Sequence, residues 1–151
     1  MTRINVVHPT VLTDQHLMAE YRELTMVMGS LKRSLNSKTG LPPIPEKYTL
    51  NAGHVTFFYN KGAWLRRRYA ALIAELTDRG YILDKDRIAD FSVFSKSLNK
   101  DWCADMDAVR INSARIKERI MVKPHWYTYR AVTILAQPNK QDYIEPMLIW
   151  A

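Results

Sequence analysis

The run Asp14-Gln15-His16-Leu17-Met18-Ala19-Glu20-Tyr21-Arg22-Glu23-Leu24 decides the fold class. Leu17, Tyr21 and Leu24 recur at four- and three-residue intervals, and Met28 and Leu31 continue the series. That spacing predicts a helix from Asp14 to about Arg33, with Thr13 or Asp14 as its cap. Working outward, Leu65, Tyr69, Leu72 and Leu76 form the stripe of a second helix from about Ala63 to Arg79, which Gly80 stops. A third is predicted from about Asp105 to Val122, with Met106, Val109, Ile116 and Ile120 on one side and Pro124 at its end. Between the first two, Ser34, Asn36, Ser37, Gly40 and Pro42-Pro43-Ile44-Pro45 are connector chemistry. His54 to Tyr59 suits a short strand as well as a helix, being β-branched and aromatic. The expectation is an all-α fold: a compact single domain spanning residues 1–151, of about three main helices with long connecting loops.

Composition narrows the partners. A chain of 151 residues that is 47% hydrophobic can build one core. Its formal charge of +7 favours polyanions, with nucleic acid ahead of an anionic membrane surface. One cysteine, Cys103, excludes an intrachain disulfide framework and a cysteine-rich zinc site. Neither a signal-like N-terminal stretch nor an apolar run of membrane-spanning length is evident, so a cytoplasmic, DNA-associated protein is expected.

Three groups of residues can carry chemistry. After removal of Met1, Thr2 would present the α-amine, whose reference pKa of about 7.7–8.0 lies well below the ~10.4 of lysine. Far more of it is therefore in the nucleophilic neutral form at pH 7, although a terminus is ordinarily inert and frayed. On the first helix His16, Glu20 and Glu23 share a face distinct from the apolar one, with Arg22 beside them. Such a face is open to several readings: solvated ion pairs, general acid–base chemistry, a metal site, or a buried hydrogen-bonded His16. The adjacent guanidinium disfavours the metal. Basic residues cluster at Arg66-Arg67-Arg68, and again where Arg115, Lys117, Arg119 and Lys123 lead into His125-Trp126-Tyr127-Thr128-Tyr129-Arg130. Cations interleaved with aromatics suit phosphates and stacked bases, or else core aromatics beside snorkelling surface cations.

The run from Asp14 to Leu24 closely resembles the phage-type endonuclease V family, the pyrimidine-dimer DNA glycosylase/AP lyases. The start Met1-Thr2-Arg3-Ile4-Asn5 is similar too, as are Ala52-Gly53-His54-Val55-Thr56-Phe57-Phe58-Tyr59 and Trp126-Tyr127-Thr128-Tyr129. These blocks carry the resemblance from Thr2 to about Arg130. It implies a mainly α-helical fold whose N-terminal segment threads between helices to the active site. It also implies a nucleophilic amine at Thr2, an essential carboxylate at Glu23 and a substrate-binding arginine at Arg22. Arg3, Arg115, Arg119 and Lys123 match its DNA-contacting basic residues, His16 and Tyr21 its supports, and Trp126, Tyr127 and Tyr129 its aromatic segment. Attack on C1′ of the damaged nucleotide would release the base as an imine forms, and Glu23 would stabilise the cationic sugar and then assist β-elimination. No metal or other cofactor is implied. The substrate is double-stranded DNA holding pyrimidine dimers or abasic sites, with the adenine opposite the lesion extruded. No membrane partner is expected, and the protein is expected to be a monomer.

The sequence departs from the family pattern after Leu24, where Thr25 and Met26 stand in place of proline and arginine. One phosphate contact is thereby in doubt. Residues 131–151 extend past the resemblance and are apolar at Ile134, Leu135, Tyr143, Met147, Leu148, Ile149 and Trp150, so they are expected to pack. Two alternatives stand beside the bifunctional enzyme: an AP lyase of other damage specificity, and a non-catalytic DNA-binding module.

Overall fold

The computed structural model describes residues 4–133. Three long helices dominate: α1 (Asp14–Leu35), α3 (Gly62–Asp78) and α4 (Met106–Val122). A single helical turn, α2 (His54–Phe57), precedes α3, and a two-stranded hairpin, β1 (Thr128–Tyr129) with β2 (Val132–Thr133), follows α4. The all-α expectation holds. None of the helices among these residues is long and apolar enough to cross a membrane.

Local chemistry explains the boundaries. Thr13, not Asp14, is the N-cap of α1, its hydroxyl accepting from the His16 N–H. Lys32 and Arg33 complement the dipole of its last turn. Gly80 ends α3 with a φ of 90°, while its N–H reaches Thr77 O and that of Tyr81 reaches Leu76 O. Those two bonds form a Schellman motif. The ambiguous stretch after Gly53 is helical at its start, and Phe57, Phe58 and Tyr59 are all buried. A strand would have sent alternate rings to opposite faces.

The core lies chiefly between α1 and α3. Leu17, Leu24 and Leu31 face Leu65, Leu72 and Leu76 across it, and Tyr21 stacks on Tyr69 with ring centroids 5.5 Å apart. In the same core Phe57, Phe58, Trp64 and Trp102 join α2 to the start of α3 through ring contacts. The inward line of α4 differs from expectation. Met106 is 70% exposed, and the buried positions are Ala108, Val109, Asn112 and Ile116. An amide occupies the centre of that line because the N-terminal segment needs it there.

The hairpin folds back onto the start of α1. Its turn residues Arg130 and Ala131 have φ of 49° and 65°, a left-handed geometry that costs non-glycine residues energy. The buried Asp14 carboxylate offsets this by accepting from both turn N–H groups, the Thr128 hydroxyl and Arg79. Burial would raise the Asp14 pKa, but those donors outweigh it and hold the carboxyl below its usual value. The expected packing of Ile134 and Leu135, and of Tyr143 to Trp150, falls outside the described residues.

Candidate active site and nucleic-acid interface

Ile4, Asn5, Val6 and Val7 are 0% exposed, and none lies in a named strand of the described residues, Val7 carrying only an isolated bridge. A buried backbone without a ladder must find partners in side chains. Ile4 N–H donates to His54 Nε2 at 3.0 Å, and the Tyr48 hydroxyl donates to Ile4 O at 3.0 Å. Val6 N–H donates to Asn112 Oδ1 at 2.8 Å, and Arg68 donates to Val7 O at 2.7 Å. The Asn5 side chain joins Glu20 at 2.8 Å to Asn112 at 2.9 Å. The segment is thus clasped by α1, α2, α3, α4 and the loop before α2. Burial, then the nearby Glu20, pushes the Tyr48 pKa far up, so the hydroxyl remains a donor. Because His54 Nε2 accepts, its proton sits on Nδ1 and is donated to Thr49 O at 2.7 Å.

Of the readings open for the face of His16, Glu20 and Glu23, this clasp removes solvated ion pairing for Glu20. Glu20 is fully buried and grips Arg68 through two bonds, 2.7 Å from Nε and 3.0 Å from Nη2. Arg68 is equally buried, so it leaves the proposed basic cluster, whereas Arg66 and Arg67 stay exposed. The physical reason is the segment above: Asn5 needs an acceptor, Val7 O needs a donor, and each charge neutralises the other. Both Glu20 oxygens accept from donors, and no group of three or more His, Cys, Asp or Glu residues able to hold a metal ion occurs among the described residues.

His16 is buried as well. Its Nδ1 lies 2.6 Å from the Thr13 hydroxyl, and its ring stacks on Tyr127 at 4.8 Å with an 8° interplanar angle. Burial, reinforced by the Arg119 charge, lowers its pKa to about 4, so the imidazole is neutral at physiological pH. Glu23, one turn beyond Glu20, is half-buried, and no donor among the described residues engages its carboxylate. The two glutamates therefore differ in kind: one is consumed by structure, the other has no donor among the described residues.

Arg22 is exposed beside Glu23 and forms no ion pair among the described residues. Arg115 is half-buried and meets Glu118 at 3.3 Å. Arg119 is half-buried near His16 and Tyr127, and its buried Nε has no hydrogen-bond partner among the described residues. Lys123 is exposed at the C-cap of α4, and Trp126 is 66% exposed just beyond it. His16, Tyr127 and Arg119 thus come together. Tyr21 and Tyr129 are held elsewhere: the hydroxyl of Tyr21 donates to Asp84 O, and that of Tyr129 donates to Thr10 O beneath the Arg79 guanidinium. Thr2 and Arg3 lie outside the described residues.

Sequence reasoning missed Tyr48, His54 and Asn112 as components of this site. Asn112 carried a signal as an amide on the inward line between Val109 and Ile116, and His54 lay in the Ala52 to Tyr59 block of the resemblance without a role attached to it. Sequence reasoning also missed Lys61, a lysine of lowered pKa. Burial, then Lys100, brings Lys61 down to about 8. Its Nζ is held by Phe57 O at 2.7 Å and Asn60 Oδ1 at 2.9 Å.

A family model described as pyrimidine dimer DNA glycosylase matches residues 1–89. That span includes the N-terminal segment, all of α1 with Glu20 and Glu23, and α3 with Arg68. With the match covering 89 of 151 residues, this chain belongs to the pyrimidine dimer DNA glycosylase family.

Proposed function

We propose that this DNA-repair glycosylase couples base excision to strand cleavage through an imine on the α-amine of Thr2. The observation that carries the reading is the clasp on Ile4 to Val7. Four fully buried residues are fastened by side chains from every helix, immediately downstream of the amine. Two peptide units separate Thr2 from Ile4, so the amine is tethered within roughly 7 Å of a fixed point.

In this mechanism the neutral amine attacks C1′ of the damaged nucleotide, the C1′–N bond breaks, and the base departs with the bonding pair. Opening of the sugar gives the imine. Glu23 stabilises the cationic sugar and then assists removal of a C2′ proton, whereupon the 3′ C–O bond breaks in β-elimination. Hydrolysis frees the enzyme. Arg3, Arg22, Arg115, Arg119 and Lys123 supply phosphate contacts, and Trp126 offers a stacking face to DNA bent open at the lesion. His16, neutral and stacked on Tyr127, supports the site without adding charge.

Borohydride trapping tests this on UV-irradiated, abasic and undamaged duplexes in parallel. A covalent adduct on the first two supports the coupled activity. An adduct on abasic DNA alone leaves an AP lyase of other specificity, and no adduct on either leaves a DNA-binding module. Glu23→Gln should bind the lesion and lose base release; near-normal release would make Glu23 a surface charge only.

A further inference from the structure

We propose that His54 is a positioning residue for the reaction, setting the reach of the N-terminal amine through its bond to Ile4 N–H; this rests on the α-amine reading above. Ile4 is the described residue nearest the amine, and both of its backbone polar groups are taken, the N–H by His54 and the carbonyl by Tyr48, each at 3.0 Å. The imidazole is itself immobilised. Its Nδ1 is fixed on Thr49 O, and its ring meets Tyr48 at 5.4 Å and Phe58 at 5.7 Å, both edge-on. Gly53 before it has a φ of 87°, and a Cβ there would stand 3.0 Å from the Pro45 ring. A turn that tolerates only glycine thus places a ring of defined tautomer against one amide.

The consequence follows from tether length. With Ile4 fastened, two residues separate the amine from its anchor. Without that bond, the nearest remaining hold is the Tyr48 hydroxyl on Ile4 O, on the far side of the residue, and the next fastened backbone N–H is that of Val6, on Asn112. The effective concentration of a tethered group falls as about the −3/2 power of its length, so lengthening the tether from about two residues to about three costs roughly 2-fold. Loss of orientation adds to this, since misplacement by an ångström can cost about 100-fold. Of the proposed phosphate contacts only Arg3 shares this tether. Arg22 lies on α1, and Arg115, Arg119 and Lys123 lie on or at the end of α4, so the larger defect belongs to the bond-forming step.

Three variants test this: His54→Phe, which keeps a buried ring without an acceptor; His54→Gln, which returns an acceptor near the Nε2 position; and Tyr48→Phe, which deletes only the hydroxyl on Ile4 O. Each is assayed for single-turnover borohydride trapping on abasic duplex, for Kd on a duplex holding an uncleavable tetrahydrofuran site, and for melting temperature. Trapping by His54→Phe should slow about 10- to 100-fold with Kd held within about 2-fold, and His54→Gln should recover most of the rate. Unchanged trapping, parallel loss of trapping and affinity, or no recovery in a folded His54→Gln would overturn the proposal. Should neither His54 variant fold, Tyr48→Phe decides by the same split between rate and affinity. Wild-type protein acetylated at its α-amine runs alongside. Normal trapping by that form sinks the amine reading itself, whereas a dead acetylated form beside a fully active His54→Phe sinks only the role of His54.

Discussion

Replacing Glu20 by glutamine should unfold the protein far more readily while altering no group that meets DNA. The carboxylate accepts three bonds at 2.7, 3.0 and 2.8 Å, two from Arg68 and one from Asn5, and both members of the ion pair are 0% exposed. Glutamine retains one acceptor oxygen but presents an NH2 to Arg68 and leaves its guanidinium as an uncompensated buried charge. Removing one partner of such a pair costs about 3–5 kcal/mol. At about 2–4 °C per kcal/mol for a chain of this size, melting should fall on the order of 10 °C. Urea denaturation of wild type, Glu20→Gln and Glu23→Gln compares the two carboxylates directly. Glu23→Gln, half-buried and without a donor among the described residues, should change stability by less than about 1 kcal/mol. An equally small loss for Glu20→Gln would refute the reasoning, because the pair would then not be holding the N-terminal segment. A double change to Glu20→Leu with Arg68→Met tests the same point from the other side. It removes both charges together and should cost less than Glu20→Gln alone, although Asn5 and Val7 O each lose a partner.

His16 makes stability depend on pH in a defined window. Its folded pKa of about 4 lies below the 6.5 of the exposed ring, so unfolding takes up a proton between those values. Stability should be complete above pH 6.5, decline by up to about 3 kcal/mol as pH falls to 4, and change no further from this source below that. Denaturation of His16→Gln across the range should lack that slope; an identical slope would show that other groups produce it. Met26 is 61% exposed, so arginine there has room, and a core location for this side chain is excluded. Met26→Arg should leave melting unchanged and steepen the log-affinity versus log-salt slope by roughly 0.9. An unchanged slope in a stable variant would remove the phosphate contact from the account.

The helices were legible because their signals are local. Leu17, Tyr21, Leu24 and Leu31 recur on one stripe, and Gly80 ends α3 where a left-handed residue was wanted. The partnership of Glu20 and Arg68 was not legible. They lie 48 residues apart, and periodicity sorts charged from apolar side chains without telling a buried pair from two solvated ions. Arg68 sits in Arg66-Arg67-Arg68, where composition alone makes all three alike, and only the helical phase of α3 turns the third inward. His54 was hidden for a related reason: its role is defined by a bond to Ile4, 50 residues away. Glu23, by contrast, was singled out through the resemblance, and its carboxylate, which no donor among the described residues engages, is compatible with the proposed role.

Two amines compete on pKa grounds, the α-amine with a reference value of about 7.7–8.0 and Lys61 at about 8. Geometry separates them: Lys61 Nζ is spent on Phe57 O and Asn60 Oδ1 and lies 3.7 Å over the Phe57 ring, whereas the α-amine sits at the end of a clasped segment. The most direct measurement is therefore to reduce the complex on UV-irradiated duplex with borohydride, digest it, and locate the sugar adduct by mass spectrometry. The adduct should lie on the α-amine of a peptide beginning at Thr2. An adduct on Lys61 or any other lysine, with the Thr2 amine unmodified, would contradict the mechanism.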